Sequence, residues 1–373
     1  MLVKKLRFEL PEYRTLGDAL VKNVAIGYET YGALNAARDN AILVCHYFSG
    51  TSHAAGRYAA DDPLPGYWDA IISPGKAVDT DKYFVIASDT LVNLNARDPQ
   101  VITTGPASLD PATGKSYGLS FPAVTIADFV RVQKALVDSL GIARLHAVMG
   151  PSMGGLQTFE WAATYPECVG RIIPAIAAPN FGGWLTAWLS IWAQPIRLDP
   201  AWRGGAYDPS EQPMAGLTAA LRTITLQALH SRWANEIGGG RALAPGGDAS
   251  DLAATPYAIE QTLTDRAEAR AKIADANHLL YLVRANQTYV PGAGAGATSA
   301  AQGLKRIKAP ALILYAPDDQ VFPAEWIEAA AAMLRDNGAA VETAQLHGPY
   351  GHYNGLTAIA DAGPQIAAFL DRK

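Results

Sequence analysis

The chain has 373 residues, enough for about two average domains or for one large α/β domain with an insertion. Hydrophobic residues make up 49% and charged residues 17%, so a large core is available and disorder is excluded as the general state. A net charge of -5 and a pI near 5.8 argue against a nucleic-acid binder, although a local basic patch stays compatible with them.

In chain order, residues 1–11 hold no uninterrupted apolar segment and no small-residue cleavage site, so no signal peptide is expected. No run of about 18 apolar residues lacks charges or breakers, so no membrane span is expected and the chain reads as cytoplasmic. Residues 24–31 are rich in β-formers and end at Gly32, which predicts an early strand. Ala41–Cys45 predicts a fully apolar strand, followed by His46-Tyr47-Phe48-Ser49-Gly50, and residues 83–87 predict a third. Residues 88–121 form a long polar stretch, and loops of that length in compact enzymes are usually functional. Residues 125–140 carry apolar positions at helical spacing up to Gly141. Strands at 145–149 and 172–178 flank a helix at 155–165. From 181 to 301 only helical patterns follow, at 182–192, 216–233 and 258–281, separated by Gly and Pro clusters. Strands return at Ala311–Tyr315 and 341–346, with helices at 324–334 and from Pro364 to Leu370. Strands alternating with helices imply a mostly parallel sheet covered on both faces, interrupted by a helical insertion. The divisions are 1–180, 181–301 and 302–373. Cys45 and Cys168 read as two free, buried thiols in a reducing compartment.

Gly150-Pro151-Ser152-Met153-Gly154 is a G-x-S-x-G pattern at a strand-to-helix junction. There the serine sits on a sharp turn with its hydroxyl thrust outward, and the amide of Met153 points to where an oxyanion would form. A serine needs a base to take its proton, and the base should be a histidine oriented by a buried carboxylate. On an α/β-hydrolase scaffold the order is Ser, acid, His, each after a strand. After Ala311–Tyr315 stand Asp318 and Asp319; Asp319 is preferred because it opens a turn into the next helix. After the last strand stand His347 and His352; His352 is preferred because it occupies a loop ahead of the terminal helix. The remaining histidines, among them His46, His53, His146, His230 and His278, read as surface or partly buried residues. The second oxyanion donor is expected to be the amide of Phe48. Scattered histidines and the absence of a C-x-x-C pair give no metal set, and no phosphate-cradling Gly motif follows a strand, so no cofactor is expected.

Several stretches resemble the homoserine O-acetyltransferase-like branch of the α/β-hydrolases. They are Tyr28-Glu-Thr-Tyr-Gly-Ala-Leu-Asn35, Gly66-Tyr-Trp-Asp69, Pro74-Gly-Lys-Ala-Val-Asp-Thr-Asp-Lys-Tyr-Phe84, Thr104-Gly-Pro-Ala-Ser108 and Ser152-Met-Gly-Gly155. The resemblance implies an α/β-hydrolase fold with a helical lid after the sheet's sixth strand, dimers joined through that lid, and a triad of Ser152, Asp319 and His352. It also implies an Asp after the catalytic His and a lid arginine for the substrate carboxylate. Here Tyr353 replaces that Asp, and Arg222 lies near the arginine's place but out of register. The family's Gly-rich stretch before Thr-Gly-Pro is replaced by residues 89–100, and Pro151 stands where a second Gly is common. Aromatic Tyr47, Phe48 and Tyr353 suit an uncharged ester. The expectation is therefore a serine carboxylesterase acting on short-chain, acetyl-type esters, with acyl transfer to alcohols possible from the same intermediate. The alternative is transfer from acetyl-CoA to homoserine or another alcohol. The expected partner is a small-molecule ester, with neither nucleic acid nor membrane.

Overall fold

The computed structural model describes residues 1–372. Its frame is a sheet of eight strands: β1 (Leu6–Arg14), β2 (Leu20–Tyr31), β3 (Ala41–Cys45), β6 (Phe84–Ser88), β7 (Ala147–Pro151), β8 (Ile172–Ala175), β9 (Ala311–Tyr315) and β10 (Val341–Gln345). The two-residue strands β4 (Ile72–Ser73) and β5 (Val78–Asp79) pair separately. The sheet order is β1-β2-β6-β3-β7-β8-β9-β10, with β1 and β2 antiparallel and every pairing from β6 to β10 parallel. Central β3, β7 and β9 are buried along their whole length, because helices cover both sheet faces. Alternation divides their side chains: Leu43 and Val148 enter one core, Ile42 and Met149 the other.

Helix α1 (Ile126–Ser139) starts at a capping box between Thr125 and Asp128. The Asp128 carboxylate also accepts from the Tyr13 hydroxyl and the Leu16 amide, both at 2.7 Å, which ties the β1–β2 hairpin to the core. Helix α2 (Met153–Thr164) follows β7 directly. Between β8 and β9 the described chain carries helices and no strand of the sheet. They are α3 (Gly183–Leu198), α4 (Met214–Ala228), α5 (Ser231–Glu236), α6 (Ala258–Ala271), α7 (Ala276–Gln287) and α8 (Ala300–Arg306). Then come α9 (Ala324–Asp336), α10 (Asn354–Thr357) and α11 (Gly363–Leu370).

Three sequence expectations need correction. The strand expected over 172–178 stops at Ala175, where Ile176 turns to φ 46°. The helix expected over 216–233 breaks at Leu229, and His230 caps α5. The helix expected over 258–281 breaks before Asp275, whose carboxylate caps α7 by accepting from the His278 amide. Strand β1 had no counterpart among the sequence expectations. Cys45 and Cys168 are both free, but only Cys45 is buried as expected; Cys168, in the turn after α2, is half-buried. Among the described residues no helix is long and apolar enough to cross a membrane.

Candidate active site

Ser152 stands between the end of β7 and the start of α2 at φ 56° and ψ −120°. A residue other than glycine at positive φ is under strain, and such strain is common where a side chain must be aimed. The turn fits only because Gly154 has no side chain: a Cβ there would collide with the Cys45 carbonyl of β3. The serine is thereby raised at the C-terminal edge of the parallel strands.

His352 lies in a turn after β10, within a short 3-10 segment (Gly351–Tyr353). Its Nε2 is 2.8 Å from Ser152 Oγ, and its Nδ1 is 2.7 Å from Asp319 Oδ2. A carboxylate only accepts, so Nδ1 carries the proton and Nε2 is free to accept from the serine hydroxyl. Asp319, after β9, uses its other oxygen to accept from the amides of Val321 at 2.7 Å and Phe322 at 2.9 Å. All three side chains are buried. The structure thus brings together Ser152, Asp319 and His352. The rejected candidates Asp318 and His347 are exposed and make no bond to them among the described residues.

The loop after β3 approaches from the other side. Neither the Phe48 amide nor the Met153 amide has an acceptor among the described residues, which leaves both available as donors. The Phe48 ring packs edge-on against Trp192 of α3, at 5.4 Å between centroids. Tyr47 packs edge-on against Tyr67 at 5.3 Å. Burial raises the Tyr47 phenol's pKa above its usual value, and the neighbouring Tyr353 phenol adds to this. Tyr353 itself packs against Leu229, Trp233 and Leu263 of the helical insert. Arg222 makes no hydrogen bond or ion pair to a triad residue among the described residues. It lines a cleft of about 480 Å³ in the insert with Trp188, Gln227, Leu263 and Gln320, the last being the neighbour of Asp319. A larger cleft of about 600 Å³, around Arg97, Tyr117, Tyr207 and Asn277, is lined by no residue of the triad. Among the described residues no cluster of three or more His, Cys, Asp or Glu is placed to hold a metal.

Sequence reasoning missed four residues that hold the Phe48 loop. His46, taken as unremarkable, is fully buried and bonded through both ring nitrogens. Asn93, Asn95 and Gln157 bond to the same loop. The one available signal was the length and polarity of residues 88–121.

Comparison with known proteins gives matches over nearly the whole chain. A family model described as alpha/beta hydrolase fold matches residues 40–354. A homoserine O-acetyltransferase of Symbiobacterium thermophilum is 41% identical over 335 residues, covering 88% of this chain and 84% of that one. Among solved structures, esterase E22 is 46% identical with a TM-score of 0.95, covering 99% of this chain and 100% of that one. A homoserine O-acetyltransferase from Bacillus anthracis is 37% identical with a TM-score of 0.92, covering 100% of this chain and 99% of that one.

Proposed function

This chain belongs to the alpha/beta hydrolase fold family, in its homoserine O-acetyltransferase-like branch, and from that membership we propose a serine enzyme that carries a short acyl group on Ser152. The observation that carries this reading is the continuous hydrogen-bonded line Ser152–His352–Asp319, at 2.8 and 2.7 Å. Ser152 Oγ attacks the ester carbonyl as its proton passes to His352 Nε2, and Asp319 keeps the ring oriented. The amides of Phe48 and Met153 hold the oxyanion. The tetrahedral intermediate collapses, and the departing alcohol takes the proton from His352. Water, activated by the same imidazole, then releases the acid.

Water and alcohols compete for such an intermediate. Hydrolysis of short-chain, acetyl-type esters stands first because of Tyr353. Beside His352 it offers a phenol packed on apolar side chains, where the resemblance implies a carboxylate that would hold an amino-acid acceptor. A buried ammonium without a partner is costly. The second reading is transfer of acetyl from acetyl-CoA to homoserine or another alcohol. Homoserine O-acetyltransferase relatives of near-full coverage back this second reading more strongly than esterase E22 backs hydrolysis.

Purified protein is to be tested with p-nitrophenyl acetate and ethyl acetate, and separately with acetyl-CoA plus homoserine while free CoA is followed. Ester cleavage without homoserine-dependent CoA release is expected, and Ser152→Ala should abolish it. Homoserine-dependent release would overturn the preference for hydrolysis. Tyr353→Asp should raise homoserine turnover and leave ester cleavage intact.

The insert, in this reading, is a lid and a dimer interface. Helix α3 turns Trp184, Ile191 and Leu198 to solvent at 58%, 49% and 70% exposure. Their seven-residue spacing puts them on one helical face, which supports a homodimer testable by light scattering.

A further inference from the structure

Residues 89–100 contribute nothing to the triad, yet much of this segment is buried and one residue is strained. Val92 is fully buried at φ 51°, a conformation that β-branched residues rarely adopt. Its amide donates to the Thr104 carbonyl at 3.0 Å, and the Asn93 amide donates to Thr103 Oγ1 at 3.0 Å. The turn fixed in this way directs the Asn93 carboxamide at the loop after β3. There Asn93 Nδ2 donates to His46 Nε2 at 3.1 Å and to the Gly50 carbonyl at 3.0 Å. Asn93 Oδ1 accepts from the Asn95 amide at 2.9 Å, and Asn95 Nδ2 donates to the Ser49 carbonyl at 3.1 Å.

The loop is tied from its own side as well. His46 Nδ1 donates to the Tyr47 carbonyl at 2.7 Å, so Nε2 is left as the acceptor that Asn93 uses. Gln157 Nε2 of α2 donates to the His46 carbonyl at 3.2 Å. The carbonyls of His46, Tyr47, Ser49 and Gly50 are therefore all engaged, and Phe48 sits in the middle with its amide free.

The same clamp reaches the helical insert. His278 of α7 is fully buried; its Nδ1 donates to the Asn93 carbonyl at 2.7 Å, and its Nε2 accepts from the Ala107 amide at 3.1 Å. The Asp275 amide donates to the Leu94 carbonyl at 3.0 Å, beside the same junction.

We infer that Asn93 is a positioning residue for acyl transfer: aimed by the strained turn at Val92 and anchored to α7 through His278, it holds the Phe48 amide where the oxyanion forms. This rests on the reading of Ser152 as nucleophile and Phe48 as oxyanion donor. Donors of this kind work because they are fixed before charge develops, so a loop free to drift loses turnover without losing ground-state binding.

The test compares wild type, Asn93→Ala and Asn93→Asp on p-nitrophenyl acetate, alongside affinity for a trifluoromethyl ketone transition-state analogue. A wild type without Ser152-dependent ester cleavage or acyl transfer refutes the underlying reading, and this inference falls with it. With an active wild type, both substitutions should lower kcat by about 10²-fold, the lower end of the cost of losing one oxyanion donor, with KM within about twofold. Analogue affinity should weaken by the same factor. A folded variant with unchanged kcat, or with a change confined to KM, overturns the inference. Should the Asn93 variants not fold, His278→Ala and His278→Asn decide. The asparagine amide reaches the place of imidazole Nδ1, so it should retain turnover that alanine loses, and equal turnover in the two refutes the clamp.

Discussion

Asp319 divides its two oxygens between the backbone and the histidine, and that division fixes its orientation. With Oδ1 held by the amides of Val321 and Phe322, Oδ2 can face only His352. Asp319→Asn keeps the shape but must present an N–H either to two amide donors or to a ring nitrogen that then takes the wrong tautomer. Its kcat on p-nitrophenyl acetate is expected to fall by about 10⁴-fold, with the circular dichroism spectrum unchanged. Asp319 could be chosen over Asp318 from sequence because a residue opening a turn into a helix has backbone amides ahead of it to accept from. Asn93 could not be found that way. Its partners His46 and Gly50 lie more than 40 residues upstream, and His278 lies on the insert, so no local pattern marks it.

The elements that place the site are held by close backbone approach. Gly154 of α2 lies against the Cys45 carbonyl of β3, so Gly154→Ala must push a helix off a central strand. A loss of about 1–3 kcal/mol is expected, read as a lower Tm. Gly182→Ala, where an added Cβ meets nothing within 4 Å, should melt like wild type. At this scale the parallel strands were legible because burial on both faces leaves only apolar runs such as Ala41–Cys45. Strand β1 was not, since an edge strand with one exposed face can alternate charged residues and contain Pro11. The breaks at Leu229 and before Asp275 were hidden because helical periodicity runs on across them, while the capping bonds that end it appear only in three dimensions.

Across the whole molecule, buried neutral histidines make stability depend on pH. Burial lowers His46 from 6.5 to about 4, and burial lowers His278 and His146 as well. A lowered folded pKa means that the unfolded chain takes up the proton first. The stability is therefore fully present above pH 6.5 and is lost as pH falls toward 4, by about 3 kcal/mol for His46 alone. Asp89 and Glu160, whose carboxyls burial raises, act in the opposite direction. The informative measurement is therefore the difference between two proteins. Urea midpoints of His46→Asn should fall less steeply than those of wild type between pH 6.5 and 4.

The Ser152–His352 bond joins residues 200 positions apart, with all of α3 to α8 between them. A ribosome adding about 5–20 residues per second takes about 10–40 s to cross that interval. During it the nascent chain carries Ser152 without His352, the histidine bonded to it in the folded protein. The Ser152–His352 pair thus cannot form until nearly every other part of the molecule has been made.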